Sequence, residues 1–169
     1  MAQITLRLLT PDDEPFLWEM LYQAIYTPSG TLPPRRDIVT QPEIARYVKG
    51  WGRAGDFGLA AVDEDSMEPL GAAWLRLWTE EEKGYGYVDN RTPELSAAIL
   101  PAYRGQGVGT QLLTQLIEGV RGKYSSISLS VSAGNPALQM YKRLGFEQVG
   151  ASDASVTMVL DLANRSRAG

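Results

Sequence analysis

One stretch constrains the fold more than any other. Ile99 to Leu113, ILPAYRGQGVGTQLL, enters as an apolar run, breaks at Pro101, crosses glycines at 105, 107 and 109, and leaves with helical spacing. Strand, glycine-rich turn and helix in that order place free backbone N–H groups at the positive end of a helix. Such groups hold phosphate without the help of a lysine. The glycines let the backbone approach an anion closely, although a tight connection with no ligand accounts for them equally well. Two better-known phosphate motifs are excluded. No Lys-Ser or Lys-Thr follows the last glycine, as a P-loop requires. The spacing is G-x-G-x-G, and no first strand of a dinucleotide-binding half precedes it at the start of the chain.

Around this turn the pattern alternates between strand and helix. Residues 3–9 alternate apolar and polar as a strand does. Thr10 can cap a helix, with Pro11 at its first position, Asp12, Asp13 and Glu14 at the positive end of the dipole, and Phe16, Leu17, Met20, Leu21 and Ala24 on one face. Prolines and a glycine make 27–37 a loop, and QPEIARYVKG a short second helix. FGLAAVD and PLGAAWLRLW are strands joined by a hairpin-like connection, and ELSAAIL is a short strand buried on both faces. After the glycine turn, Val108, Leu112, Leu113, Leu116, Ile117 and Val120 recur at helical spacing. SISLSV is a strand. NPALQMYKRLGF carries Asn135 as cap, Pro136 as first helical residue and Gly145 as stop. FEQVG and SVTMVLDL close as strands. The expected organisation is one mixed α/β domain over residues 1–162, with 163–169 as a flexible tail.

The absences narrow the chemistry. The 169 residues contain no cysteine and no histidine. That removes disulfides, thiolate nucleophiles, the usual general base and most transition-metal sites, so no metal is expected. Proton transfer falls to carboxylates, tyrosines, lysines, a terminus or water. A net charge of −4 speaks against a nucleic-acid partner. No apolar run approaches the ~20 residues of a membrane span, and the first residues lack the basic start and cleavage site of a signal peptide. A cytoplasmic location is expected, and whether the chain forms a homodimer is left open.

The glycine turn resembles the pyrophosphate-binding motif of the GNAT acetyltransferase family, Arg/Gln-x-x-Gly-x-Gly/Ala, on Arg104, Gly107 and Gly109. Pro101, Tyr103, Arg104 and Gly105 match the family's usual approach to that turn. NPALQMYKRLGF resembles the family segment that follows its fifth strand, including the tyrosine and the terminal Gly-Phe. The βααββ opening agrees. The resemblance is strongest from Ile99 to Phe146.

This resemblance implies a central sheet of six to seven strands flanked by about four helices, with fourth and fifth strands that splay apart. It implies acetyl-CoA as donor and a primary amine of a small molecule or peptide as acceptor. The cofactor would lie against Ala98, Ile99 and Leu100, against the turn of Arg104, Gly105, Gln106, Gly107, Val108, Gly109 and Thr110, and near Asn135. Backbone N–H groups of the fourth strand would polarise the thioester carbonyl. Tyr141 would protonate the departing thiolate. Glu94, at the start of the fourth strand, would be the base an alkylammonium of pKa ~10.4 needs, with Asp89 second and a water chain as the route without a dedicated base. Plainer readings stand beside these. Arg104 is also a surface arginine, Asn135 a helix cap, Tyr141 a core residue and Glu94 a solvated strand-end acid. Tyr22, Tyr26, Trp51, Trp74, Trp78, Tyr85 and Tyr87 cluster where an acceptor pocket would form, yet most suit a core. A non-catalytic acyl-CoA sensor of the same fold is the alternative function.

Overall fold

The computed structural model describes residues 3–152 and 154–163. Along them run β1 (Ile4–Leu8), α1 (Glu14–Ala24), α2 (Pro42–Ala45), β2 (Phe57–Asp63), β3 (Pro69–Arg76) and β4 (Glu94–Ile99). There follow α3 (Val108–Val120), β5 (Ser126–Ser132), α4 (Ala137–Arg143), β6 (Glu147–Ala151) and β7 (Ser155–Asp161). The strands form one seven-stranded sheet in the order β1-β2-β3-β4-β5-β7-β6. Every neighbouring pair is antiparallel except β4 and β5. The mixed α/β architecture expected from the sequence is the one observed.

Alternation along the strands gives the sheet two apolar faces. On one, Val108, Leu112, Leu113, Leu116, Ile117 and Val120 of α3 are all buried against Leu75, Leu95, Ile127 and Leu129. Full burial of each such leucine contributes about 1.5–3 kcal/mol. On the other, α1 sets Leu17, Met20 and Leu21 against Ala72, Trp74 and Ala98. The α-helical hydrogen bonding of α1 begins at Glu14, after a 3₁₀ turn over Pro11–Asp13. Asp13 explains the delay. Its carboxylate accepts the Thr10 N–H at 2.8 Å and is forked by the Arg7 guanidinium at 2.9 Å to each oxygen. The hydrogen bond from Arg7 is the main reason the Asp13 carboxyl titrates below the usual carboxylate range.

The second helix is shorter than its sequence suggests. Only Pro42–Ala45 is α-helical, and turns continue to residue 52. The carbonyls that would extend it are taken from outside. Arg76, 1% exposed, donates from Nη1 to the oxygens of Arg46 at 2.9 Å and Lys49 at 2.7 Å. Trp74 Nε1 donates to the Tyr47 oxygen at 3.0 Å. Asp56 neutralises Arg76, with its carboxylate 3.1 Å from Nε and 2.8 Å from Nη2. Tyr47 is therefore held from β3 by its own carbonyl and by those of its neighbours.

The sheet divides between β4 and β5. They share one residue pair, Glu94 with Ser128, beside which the Ser128 N–H donates to the Pro93 oxygen at 3.0 Å. Beyond that point the strands diverge, as expected of the splayed pair. At the far side of the split, Asn135 Oδ1 accepts the Ala137 N–H at 2.9 Å and so caps α4, which Gly145 ends at φ +105°. Of the expected tail only Ala163 is described, its N–H bonded to Asp161 Oδ1 at 2.9 Å; 164–169 lie outside the described residues. No helix among the described residues is long and apolar enough to cross a membrane.

Candidate active site

The divergence of β4 and β5 opens a cleft of about 920 Å³. Glu94, Ala98, Ile99, Arg104, Asn135 and Tyr141 line it together. Leu100 and the turn from Gly105 to Thr110 lie outside its wall.

At the glycine turn, Gly105 and Gly107 have φ of +75° and +82°. That left-handed region strains any residue with a Cβ. A Cβ built on either would meet nothing within 4 Å, so the turn faces open space. Among the described residues, none of the amides from Gly105 to Thr110 donates a hydrogen bond. Six unpaired N–H groups at the start of a 13-residue helix form a concentrated positive field. Val108 contributes only its N–H, since its side chain is buried in the core. Arg104 folds back over the strand end. Its Nε donates to the Ile99 oxygen at 2.9 Å and its Nη2 to Gln23 Oε1 at 3.1 Å.

The edge of β4 follows the same logic. The Leu100 N–H donates to the Leu70 oxygen at 2.8 Å and so points toward β3. Successive amides of an extended strand point to opposite edges, so the Ala98 amide also faces β3. The Ala97 and Ile99 amides face the split, where β5 no longer pairs with them. Of Ala98, Ile99 and Leu100, the three positions singled out in the sequence, Ile99 therefore offers its backbone to the cleft, and Ala97 joins it.

Glu94 is not a solvated strand-end acid. It is 3% exposed. Its Oε1 accepts the Trp78 Nε1–H at 2.9 Å and the Gly86 N–H at 3.0 Å, and its Oε2 accepts the Tyr47 hydroxyl at 2.6 Å. Burial outweighs these donors and raises its pKa to about 7. The loop before β4 seals it. A Cβ on Gly86 would lie 2.9 Å from the Glu94 carboxyl carbon, and one on Gly84 would collide with Glu94 Oε1. GYGY thus has glycine where the backbone must press on the carboxylate. Ser128, the β5 partner of Glu94, is fully buried and its Oγ is the one buried side-chain polar atom left unpaired among the described residues.

Tyr141 stands across the cleft on α4. Its ring meets Phe146 edge-on at 5.7 Å, and burial pushes its hydroxyl up to about 12. The hydroxyl has no hydrogen-bond partner among the described residues, although the residue lines the cleft. The aromatics divide. Trp51, Trp74 and Trp78 are core, while Tyr22, Tyr26 and Tyr85 line the cleft. Tyr26 spans it, its hydroxyl donating to the Gly134 oxygen at 3.1 Å. Asp89 is exposed and accepts the Arg91 N–H at 2.8 Å, off the cleft wall. Tyr47 was not singled out by sequence reasoning. The weak signal for it is a tyrosine inside an otherwise short amphipathic helix.

Comparison with known proteins agrees with this geometry. A family model described as the acetyltransferase (GNAT) family matches residues 18–146. An N-alpha-acetyltransferase of Sulfurisphaera tokodaii is 38% identical over 58 residues, which is 32% of this chain and 35% of that protein's length. Among solved structures, the spermidine/spermine N-acetyltransferase SpeG of Vibrio cholerae superposes with a TM-score of 0.65 at 20% identity, covering 99% of both chains. YncA of Salmonella typhimurium, solved with its cofactor acetyl-CoA, gives 0.65 at 22% identity over 95% of each. The matched span takes in the split strands, the glycine turn and Tyr141, and the chain belongs to the acetyltransferase (GNAT) family.

Proposed function

We propose that the chain moves an acetyl group from acetyl-CoA directly to a primary amine of a small molecule or peptide. The observation that carries this is one cleft with a buried carboxylate, Glu94, on one wall and an unpaired tyrosine hydroxyl, Tyr141, on the other. The residues present fit the cofactor. The open, left-handed glycine turn with its unpaired amides suits a pyrophosphate. The Ala97 and Ile99 edge of β4 suits an extended amide-bearing arm. When bound, acetyl-CoA supplies an acetyl group activated as a thioester.

The chain's own residues then divide the work. Glu94, poised near neutrality, takes the proton an ammonium must lose before nitrogen can attack. The free N–H groups of β4 are aimed donors of the kind that stabilise a developing oxyanion, each typically worth about 3 kcal/mol. Tyr141 keeps its proton at neutral pH and holds it for the leaving sulfur. With no cysteine in the chain, the acetyl group has no thiol to rest on, and transfer is direct. Among the described residues Glu94 is the single carboxylate on the cleft wall, where Tyr22, Tyr26, Pro33, Pro34 and Ile44 stand beside serines, Gln23, Asn135 and one cation, Arg104. A monocation on an apolar body suits that wall better than a polyamine.

The test is to offer acetyl-CoA with spermidine, benzylamine and a peptide with a free N-terminal alanine, reading free thiol and acetylated product together. Turnover with at least one amine is expected. Tight coenzyme A binding without thiol release from any of them would leave the sensor reading in its place.

A further inference from the structure

We propose that Tyr47 is a catalytic residue that carries the proton from the acceptor amine to Glu94. The inference rests on the reading of Glu94 as the base. Glu94 is walled in. Trp78 Nε1 and the Gly86 N–H occupy Oε1, and the backbone of Gly84 and Gly86 presses on the carboxylate from the loop side. Its other oxygen is covered by the Tyr47 hydroxyl at 2.6 Å. Tyr47 lines the cleft beside it.

The tyrosine is fixed as a relay requires. Its carbonyl is bonded to Trp74 Nε1 at 3.0 Å, and buried Arg76 holds the carbonyls of Arg46 and Lys49 on either side. Its ring packs edge-on against Trp78 at 5.1 Å and stacks on Tyr85 at 6.5 Å. Its hydroxyl oxygen accepts the Tyr85 N–H at 2.7 Å while its proton points to Glu94, which leaves one lone pair for an incoming donor. The step balances in one motion. The ammonium N–H bond breaks as Tyr47 Oη gains that proton, and the Tyr47 O–H bond breaks as Glu94 Oε2 gains the other. The amine keeps the electron pair that attacks, and the tyrosine ends neutral as it began. Burial and the neighbouring Glu94 charge push the tyrosine's own ionisation upward, so it passes a proton without resting as phenolate. Among the described residues no ion pair reaches Glu94. Arg76, its register partner on β3, turns its guanidinium to Asp56 and to the oxygens of Arg46 and Lys49. Arg53 is held off on the Trp78 ring at 5.8 Å from its centroid, and Ser128 and Trp78 are neutral.

The experiment measures kcat/KM against pH for the intact protein, with acetyl-CoA and whichever amine of the panel above turns over fastest. Tyr47→Phe keeps the ring and removes the relay. A fall of about 10²-fold is expected, and the acid limb, near pH 7 in the parent, should move up by about one unit because Glu94 loses a donor to its charged form. Should the phenylalanine variant not fold, 3,5-difluorotyrosine incorporated at position 47 keeps ring and hydroxyl but makes a stronger donor, and the limb should move down. Glu94→Gln is run alongside. If Glu94→Gln is inactive and either Tyr47 change leaves rate and limb where they were, the relay is overturned and the base stands. If Glu94→Gln is fully active, the base assignment falls and the relay with it.

Discussion

Glu94 pays for its position in stability, and the sign of that cost is testable. Its folded pKa of about 7 lies above the ordinary 4.5, so folding favours the protonated acid. The contribution is fully present below about pH 4.5 and is lost as pH rises through about 7, on the order of 3 kcal/mol in all. Denaturant unfolding at pH 4.5 and pH 8 should show the parent losing stability relative to Glu94→Gln by roughly that amount. An equal pH response in the two proteins would mean the carboxylate is better solvated than its burial implies. For Tyr141 the expected pattern is different. Tyr141→Phe retains the contact with Phe146 and removes an unpaired hydroxyl, so Tm should hardly move while kcat falls about 10²–10⁴-fold. Lost stability with kcat preserved would assign the tyrosine to the core. At this scale the sequence named both residues but not their surroundings. Glu94 stood out as an acid opening a strand, whereas its cage comes from Tyr47, 47 positions away, and from the loop glycines Gly84 and Gly86.

Among the elements, α3 was legible along its whole length and α2 only at its start, for one physical reason. The α3 face repeats over 13 residues, and each apolar position finds the core. The α2 segment is stopped by Arg76 and Trp74, which seize its carbonyls from a strand far along the chain. No local pattern announces that. The glycine turn belongs to this scale too, since its use depends on backbone conformation. Gly107→Ala meets no clash but must hold φ near +82°, which should cost about 1–2 kcal/mol. If the turn relaxes to relieve that strain, its amides lose their common aim. Calorimetry should then show coenzyme A binding at least about 10-fold more weakly, with thermal melting still cooperative. Unchanged affinity in the folded variant would remove the turn from the phosphate site.

Across the whole molecule, the sheet is two pieces joined by a single backbone pair. β1 to β4 and β5, β7 and β6 meet at Glu94 and Ser128 and then part, with Tyr26 reaching Gly134 across the opening. The order of elements was readable from the sequence, because each strand and helix carries its own period. The split was expected only through the family resemblance, since parallel strands that part leave no mark on either strand's alternation. An open edge of this kind predicts where a ligand should protect the chain. The Ala97 and Ile99 amides face the split without a strand partner, while Ser96 and Ala98 point toward β3. Amides bonded within a sheet exchange slowly and unpaired ones quickly. In hydrogen exchange followed residue by residue, Ala97 and Ile99 should therefore exchange fast in the free protein and slow markedly when coenzyme A is added. Ser96 and Ala98 should be slow in both. The alternation is the decisive feature, because general stiffening of the protein would slow all four alike, and a cofactor bound elsewhere would leave Ala97 and Ile99 fast.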